Sequence, residues 1–240
     1  MSGHSHAKTI KHKKDATDAQ RSKVFSKLSS EIVIAVKEGG EDPAANPRLR
    51  MAIDKARSCN MPTANIDRSI KKGTGEEAGG NLEQILFEGY GPGGFAALVE
   101  GITDNKNRAS GELKQIFEKN GGKLTQEGAV RWMFDRVGTL QAKPGNLSKE
   151  DMELLAIEAG AQDIAWKEDG LCELQVPPGE TESVRSKLRE RGVEIDASAL
   201  AWTAKETIRL SPEDRLSAER FFEALDENDA VQEIYSNLAE

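Results

Sequence analysis

Few residues in this chain stand at spacings that do chemistry. The run Gly89-Tyr90-Gly91-Pro92-Gly93-Gly94 satisfies G-x-G-x-x-G, the spacing with which dinucleotide sites cradle a pyrophosphate. That motif must open a helix, and here Phe95 onward has the apolar, β-branched character of a strand. Pro92 also removes one backbone donor. A rigid turn is therefore expected, with Tyr90, Gly91, Pro92 and Gly93 as the candidate anion or protein contact loop. Thr103-Asp104-Asn105-Lys106-Asn107-Arg108 follows a strand and precedes a helix. It is expected to form a turn with an N-cap at or near Asn107, leaving Lys106 and Arg108 to reach a partner. The sequence holds no G-x-S-x-G, no Walker loop and no H-E-x-x-H, so no enzyme is expected. His4, His6 and His12 have no cysteine or carboxylate cluster at ligand spacing, so neither a metal nor a cofactor is expected. Cys59 and Cys172 lie far apart, near a helix end and in a strand. They are expected to be packed rather than reactive, in a reduced cytoplasm. Trp132, Trp166 and Trp202 fall in or beside strands, where packing is the default role; base stacking on RNA is the alternative for one left exposed.

Charge points more clearly to a partner. The net charge is -8, yet residues 1–72 hold 15 Lys and Arg against 8 Asp and Glu, a net of +7, and the rest of the chain carries -15. A basic head on an acidic body attracts a polyanion at one end only. Residues 3–14 carry four lysines and a single bulky apolar residue, Ile10, as expected of a mobile arm. Lys8, Lys11, His12, Lys13 and Lys14 are its candidate phosphate contacts. In the helices that follow, Lys23, Lys27, Arg48, Arg50, Arg57, Arg68, Lys71 and Lys72 are expected on outer faces.

Three helices are expected to carry them. The first begins near Asp15 or Asp18, with Val24, Phe25, Leu28, Ile32 and Ala35 on one stripe, and stops at Gly39-Gly40. Asn46 caps the second and Pro47 opens it. The third runs from Thr63 to Lys72. Residues 71–81, KKGTGEEAGGN, mark a boundary. Strands are expected at Leu82–Glu88, Phe95–Thr103 and Ala129–Phe134, with a helix at Asn107–Lys119, as in the start of an α/β unit. From Gly138 to Thr203 the order is β-α-β-β-α-β, a ferredoxin-like unit. A helix follows from Ser211, and Val231, Ile234, Tyr235 and Leu238 suggest a last short helix. Some thirty terminal residues are too few for their own core, so they are expected to return to the sheet begun near residue 82. The expected domains are 1–75, 80–135 plus 205–240, and 136–204. No stretch of 18 apolar residues suggests a membrane span, and the basic N-terminus lacks the apolar segment of a secretory signal.

The chain also resembles the YebC/PmpR family, which includes the mitochondrial translational activator of cytochrome c oxidase subunit I. The likeness spans essentially the whole sequence. It rests on Gly3-His4-Ser5, Ile10 to Lys14, Asn46-Pro47-Arg48-Leu49-Arg50, Asn60-Met61-Pro62 and Glu88 to Gly94. Thr103-Asp104-Asn105, Glu158-Ala159-Gly160-Ala161 and Val231-Gln232 add to it. Where the family commonly has Lys-Trp-Ala-Asn, this chain has His6-Ala7-Lys8-Thr9, without the aromatic. The resemblance implies an α+β protein of three domains: an N-terminal helical bundle, a middle α/β domain completed by the C-terminus, and an inserted ferredoxin-like domain. It implies a nucleic-acid-binding regulator of gene expression, a DNA-binding transcriptional regulator. A cytoplasmic monomer is expected. The alternative it carries is a ribosome-associated translation factor that contacts ribosomal RNA and relieves stalling at proline-rich stretches.

Overall fold

The computed structural model describes residues 18–77, 80–167 and 170–239. The chain divides into two compact units, one formed by Asp135–Thr203 and the other by the segments on either side of it.

In the larger unit, α1 (Asp18–Gly39), α2 (Pro47–Ser58) and α3 (Thr63–Thr74) come first. Leu28, Ile32, Ala35 and Val36 of α1 meet Leu49, Ile53 and Ala56 of α2, Met61 and Ile66 in one core, with Val24 and Phe25 packed at its margin. Asn46 fixes the corner between α1 and α2. Its side chain accepts the Leu49 N–H at 3.0 Å, and its amide donates to the Ala35 and Gly40 carbonyls at 2.8 Å each. One buried side chain thus caps one helix and ties off the open carbonyls of another. α1 and α3 approach closely. A Cβ on Gly73 would stand 2.6 Å from that of Val36, and the Ser29 and Ser69 hydroxyls meet at 2.7 Å. α3 runs past Lys72 and ends on Gly75, a left-handed cap with φ 86°.

The first sheet follows: β1 (Glu83–Tyr90), β2 (Ala96–Thr103), β3 (Lys123–Leu124) and, from the far end of the chain, a strand at Val231–Ser236. Its order is β3-β1-β2 and then the C-terminal strand, with every pairing antiparallel. The expectation of an α/β unit is therefore corrected to an antiparallel sheet. α4 (Lys106–Lys119) begins one residue before the sequence suggested. Its cap is Asn105, not Asn107, and accepts the Arg108 N–H at 3.0 Å.

Two further expectations are corrected. Residues 129–133 are not a strand. Arg131–Met133 is a 3₁₀ turn, and β4 begins only at Phe134 and runs to Lys143. The amides of Gly128, Val130 and Arg131 point at a carboxylate, so no ladder can use them. The C-terminal segment is a strand rather than a helix. Glu233 pairs with Glu100 and Val231 with Gly101, which leaves Gln232 as an extra bulged residue. The bulge resets the alternation, so Val231 and Ile234 enter the same core. A three-residue spacing inside a strand then imitates helical periodicity.

In the smaller unit, α5 (Lys149–Ala159), β5 (Asp163–Trp166), β6 (Cys172–Val176), α6 (Thr181–Glu190) and β7 (Glu194–Ala204) follow β4. The sheet order is β5-β6-β4-β7, and β6 is antiparallel to both its neighbours. Ser148 caps α5 by accepting the Asp151 N–H at 3.0 Å. Met152 and Ala156 of α5, Val184 and Leu188 of α6, and Leu140, Leu174 and Val176 of the sheet share one core. Glu168 and Asp169 of the expected hairpin turn lie outside the described residues.

The larger unit is completed by α7 (Pro212–Asp226) and β8, the strand Val231–Ser236. Phe221 of α7 sits edge-on to Phe95 and to Phe117, with ring centres 5.8 and 4.8 Å apart, and Phe222 closes the group. The opposite face of the sheet carries Leu98, Glu100 and Tyr235, where α1 approaches β2.

Candidate nucleic-acid interface

Lys8, Lys11, His12, Lys13 and Lys14 lie outside the described residues. The remaining candidate cations fall into two groups, which the sequence could not separate.

The first group is turned into the fold. The Lys27 ammonium donates to the Asp226 carbonyl at 2.8 Å and to its carboxylate at 3.2 Å. Burial lowers the Lys27 pKa, and the attraction of Asp226 only partly offsets it; the neighbouring charge of Lys23 lowers it further. Lys23 donates to the Glu227 carbonyl and stands 3.7 Å from the Asp229 carboxylate. Arg48 pairs with Glu38, and Arg50 donates to the Pro43 carbonyl at 3.1 Å. These side chains hold helices to each other and α1 to the end of α7.

The second group faces solvent. Arg57, Arg68 and Lys71 are exposed and Lys72 is half-buried. Arg68, Lys71 and Lys72 are three and four residues apart, so they share one side of α3. Lys71 and Lys72 also occupy its last turn, where cations complement the helix dipole.

The glycine string behaves as a connection. Pro92–Gly94 forms a single 3₁₀ turn between β1 and β2, closed by Gly91 N–H donating to the Phe95 carbonyl at 2.8 Å. A Cβ on Gly91 would lie 2.1 Å from the Phe95 ring, and Gly93 has φ 75°. Packing explains these glycines without a phosphate. Pro92 is buried, whereas Tyr90 and Gly93 remain at the surface. Lys106 is exposed, and the exposed Arg108 is flanked by Asp104 at 2.6 Å and Glu112 at 3.8 Å. Two carboxylates beside one guanidinium make Arg108 a weak phosphate ligand.

Glu88 escaped sequence reasoning, and Trp132 was not singled out from the other tryptophans. Glu88 is buried at 1% exposure, yet its carboxylate accepts three backbone N–H groups, from Gly128 at 2.7 Å and from Val130 and Arg131 at 2.8 Å each. Burial alone would raise its pKa. The three amides, helped by the charge of Arg131, outweigh burial and hold it below the usual carboxylate value. The loop so clamped carries Trp132, which is 67% exposed, so the packing default fails for it and the stacking alternative is the one that applies. A carboxylate at an alternating core position was the one signal for Glu88. Nothing in the residue order marked Trp132 off from Trp166 and Trp202. Trp202 is buried beneath the Arg136 guanidinium, 4.9 Å from its ring centre, and Trp166 donates to Glu153 at 2.8 Å.

Among the described residues no group of three His, Cys, Asp or Glu could hold a metal ion, and no helix is long and apolar enough to cross a membrane.

Comparison with known proteins identifies the relatives of this architecture. Residues 5–76 match the model of the TACO1/YebC protein N-terminal domain, and residues 82–238 match that of the TACO1/YebC second and third domain. A protein of Caldanaerobacter subterraneus named "Probable transcriptional regulatory protein" is 44% identical over 99% of this chain and 98% of its own length. One of the same description from Pelotomaculum thermopropionicum is 46% identical over 99% of this chain and 98% of its own. The crystal structure of a conserved hypothetical protein from Aquifex aeolicus superposes with a TM-score of 0.86 at 40% identity, covering 96% of this chain and 95% of that one. With both domain models and full-length relatives in agreement, this chain belongs to the TACO1/YebC family of probable transcriptional regulatory proteins.

Proposed function

We propose that this protein is a DNA-binding regulator of transcription that acts by binding rather than by catalysis. The observation that carries the reading is the set Arg68, Lys71 and Lys72 on one side of α3, the first two exposed and the third half-buried, with Arg57 exposed on α2. Of the candidate cations on the three helices, Lys23, Lys27 and Arg48 instead pair internally. Lys8, Lys11, His12, Lys13 and Lys14 of the arm would add phosphate contacts, and Lys106 and the loop Tyr90 to Gly93, at opposite ends of β2, are further candidate contacts. The printed names of the relatives support transcription as the process.

The finer architecture belongs to the same proposal. Residues 1–75 would be a helical domain, 80–135 with 205–240 a second domain, and 136–204 a ferredoxin-like insert. The strand order β5-β6-β4-β7, with helices after its first and third strands in sequence, supports the insert. Free thiols at Cys59 and Cys172 fit a cytoplasmic setting. A monomer is part of the same reading.

The test is footprinting on promoter fragments, with binding measured across a salt series. Replacing Arg68, Lys71 and Lys72 by Ala should weaken binding and lower the slope of log K against log salt by up to about 2.7. Replacing Lys11, Lys13 and Lys14 should do the same. Sequence-indifferent binding that vanishes at physiological salt would reject the transcriptional reading. Crosslinking in cells to discrete ribosomal RNA positions, with none at promoters, would replace DNA by the ribosome as partner.

A further inference from the structure

We propose that Trp132 is a stacking platform for an unpaired nucleobase, a site that deepens the nucleic-acid reading above and rests on it. The ring is 67% exposed, the most of any large apolar side chain in the described residues. It is nevertheless fixed. The indole N–H donates to the Ala129 carbonyl at 3.0 Å, which satisfies the polar edge and leaves the ring faces to a partner.

The loop beneath it is braced at every turn. Glu88 holds the amides of Gly128, Val130 and Arg131 through its carboxylate. Its main-chain carbonyl accepts both the N–H and the hydroxyl of Thr125, at 2.8 and 2.9 Å. The Met133 N–H closes onto the Val130 carbonyl at 2.9 Å. A buried carboxylate is an expensive device for holding a surface loop. Its effect is to present one aromatic ring in one orientation, so that little ordering entropy is lost when a flat ligand arrives.

Two basic residues belong to the same neighbourhood of the backbone. Arg131 precedes it at the surface, and the exposed Lys205 lies beside the loop, its N–H donating to the Met133 carbonyl at 2.9 Å. An aromatic face with neighbouring cations is the arrangement that takes a base and its adjoining phosphates. A paired base keeps its faces stacked within the duplex, so the ligand here is a single strand or a base displaced from its pair.

The test uses the full chain with two probes, a single-stranded oligodeoxythymidine about a dozen nucleotides long and the same strand paired with its complement. Binding of the single strand should quench tryptophan fluorescence in the wild type. W132A should weaken single-strand binding about 5- to 100-fold, change duplex affinity less than about 2-fold, and lose most of the quench. W132F should restore most of the affinity. Undiminished single-strand binding by W132A would reject the platform while leaving the DNA-binding function standing. An equal loss of both ligands would reject it too, because a shared loss marks general damage to the basic surface. Wild-type protein that binds neither probe at low salt would overturn the nucleic-acid reading and the platform together.

Discussion

The Lys55 ammonium lies 3.0 Å from the Glu233 carboxylate, 178 residues further along the chain, and 2.9 Å from that of Glu31. One cation on α2 thereby joins α1 to β8. Lys27 repeats the arrangement with Asp226. The basic helical head is thereby tied by charge to the C-terminal segment.

Removing Lys55 should therefore cost more than an ordinary surface pair. Each partner is about a quarter exposed (27% for Lys55 and Glu31, 20% for Glu233), so the penalty of a fully buried pair is discounted to about 1–3 kcal/mol for K55M. Urea unfolding at neutral pH checks it, and E233Q should cost less because Glu31 remains. Despite burial, the two carboxylates raise the Lys55 pKa above its ordinary 10.5. A raised lysine stabilises fully below its unfolded pKa, so this contribution should persist to about pH 10 and fade only at higher pH.

Glu88 gives the opposite dependence. Its pKa is lowered from 4.5, so its stabilisation is present above the unfolded value and is lost as pH falls below about 4.5. Wild-type protein should lose stability between about pH 5 and pH 3 more steeply than E88Q does. At pH 7, E88Q should be weaker by about 1–3 kcal/mol, because three amides lose their charged acceptor. Parallel denaturation curves for the two proteins across this range would refute the clamp.

The two thiols should differ in reactivity. Burial raises the Cys172 pKa to about 11, far above the pH at which thiolates normally form, while Cys59 is partly accessible. Iodoacetamide at pH 8 should modify Cys59 in the native protein and reach Cys172 only after unfolding. Mass spectrometry of the labelled peptides distinguishes them.

Phe221 should be the costliest single truncation in the larger unit. It is fully buried and meets Phe95, Phe117 and Phe222. F221A should destabilise by about 3–5 kcal/mol, read from the denaturation midpoint at constant slope. L216A, at a position 59% exposed on the same helix, should change stability by less than about 0.5 kcal/mol.

Local chemistry was legible wherever it was self-contained. Asn46 before Pro47, Ser148 before Asp151 and Ser211 before Pro212 all cap helices as their residue types require. A cap needs only partners three residues away. The Val231–Ser236 strand was misread because its bulge at Gln232 depends on the register against β2, which lies over a hundred residues earlier. The segment before β4 was misread because Glu88 takes its amides, and no window around residue 130 contains Glu88.

The candidate interface divides along the same line. The amino-acid sequence by itself determined the charge asymmetry, the three helices, the absence of recognised catalytic motifs and the resemblance that places the chain in its family. Those properties are sums over residues or patterns in short windows. Only the tertiary structure decided that Lys23 and Lys27 turn inward to Asp229 and Asp226 while Arg57, Arg68 and Lys71 face solvent. It alone exposed Trp132 while burying Trp202. A side chain's exposure is set by what folds against it, and for Lys23 and Lys27 those neighbours come from the opposite end of the chain.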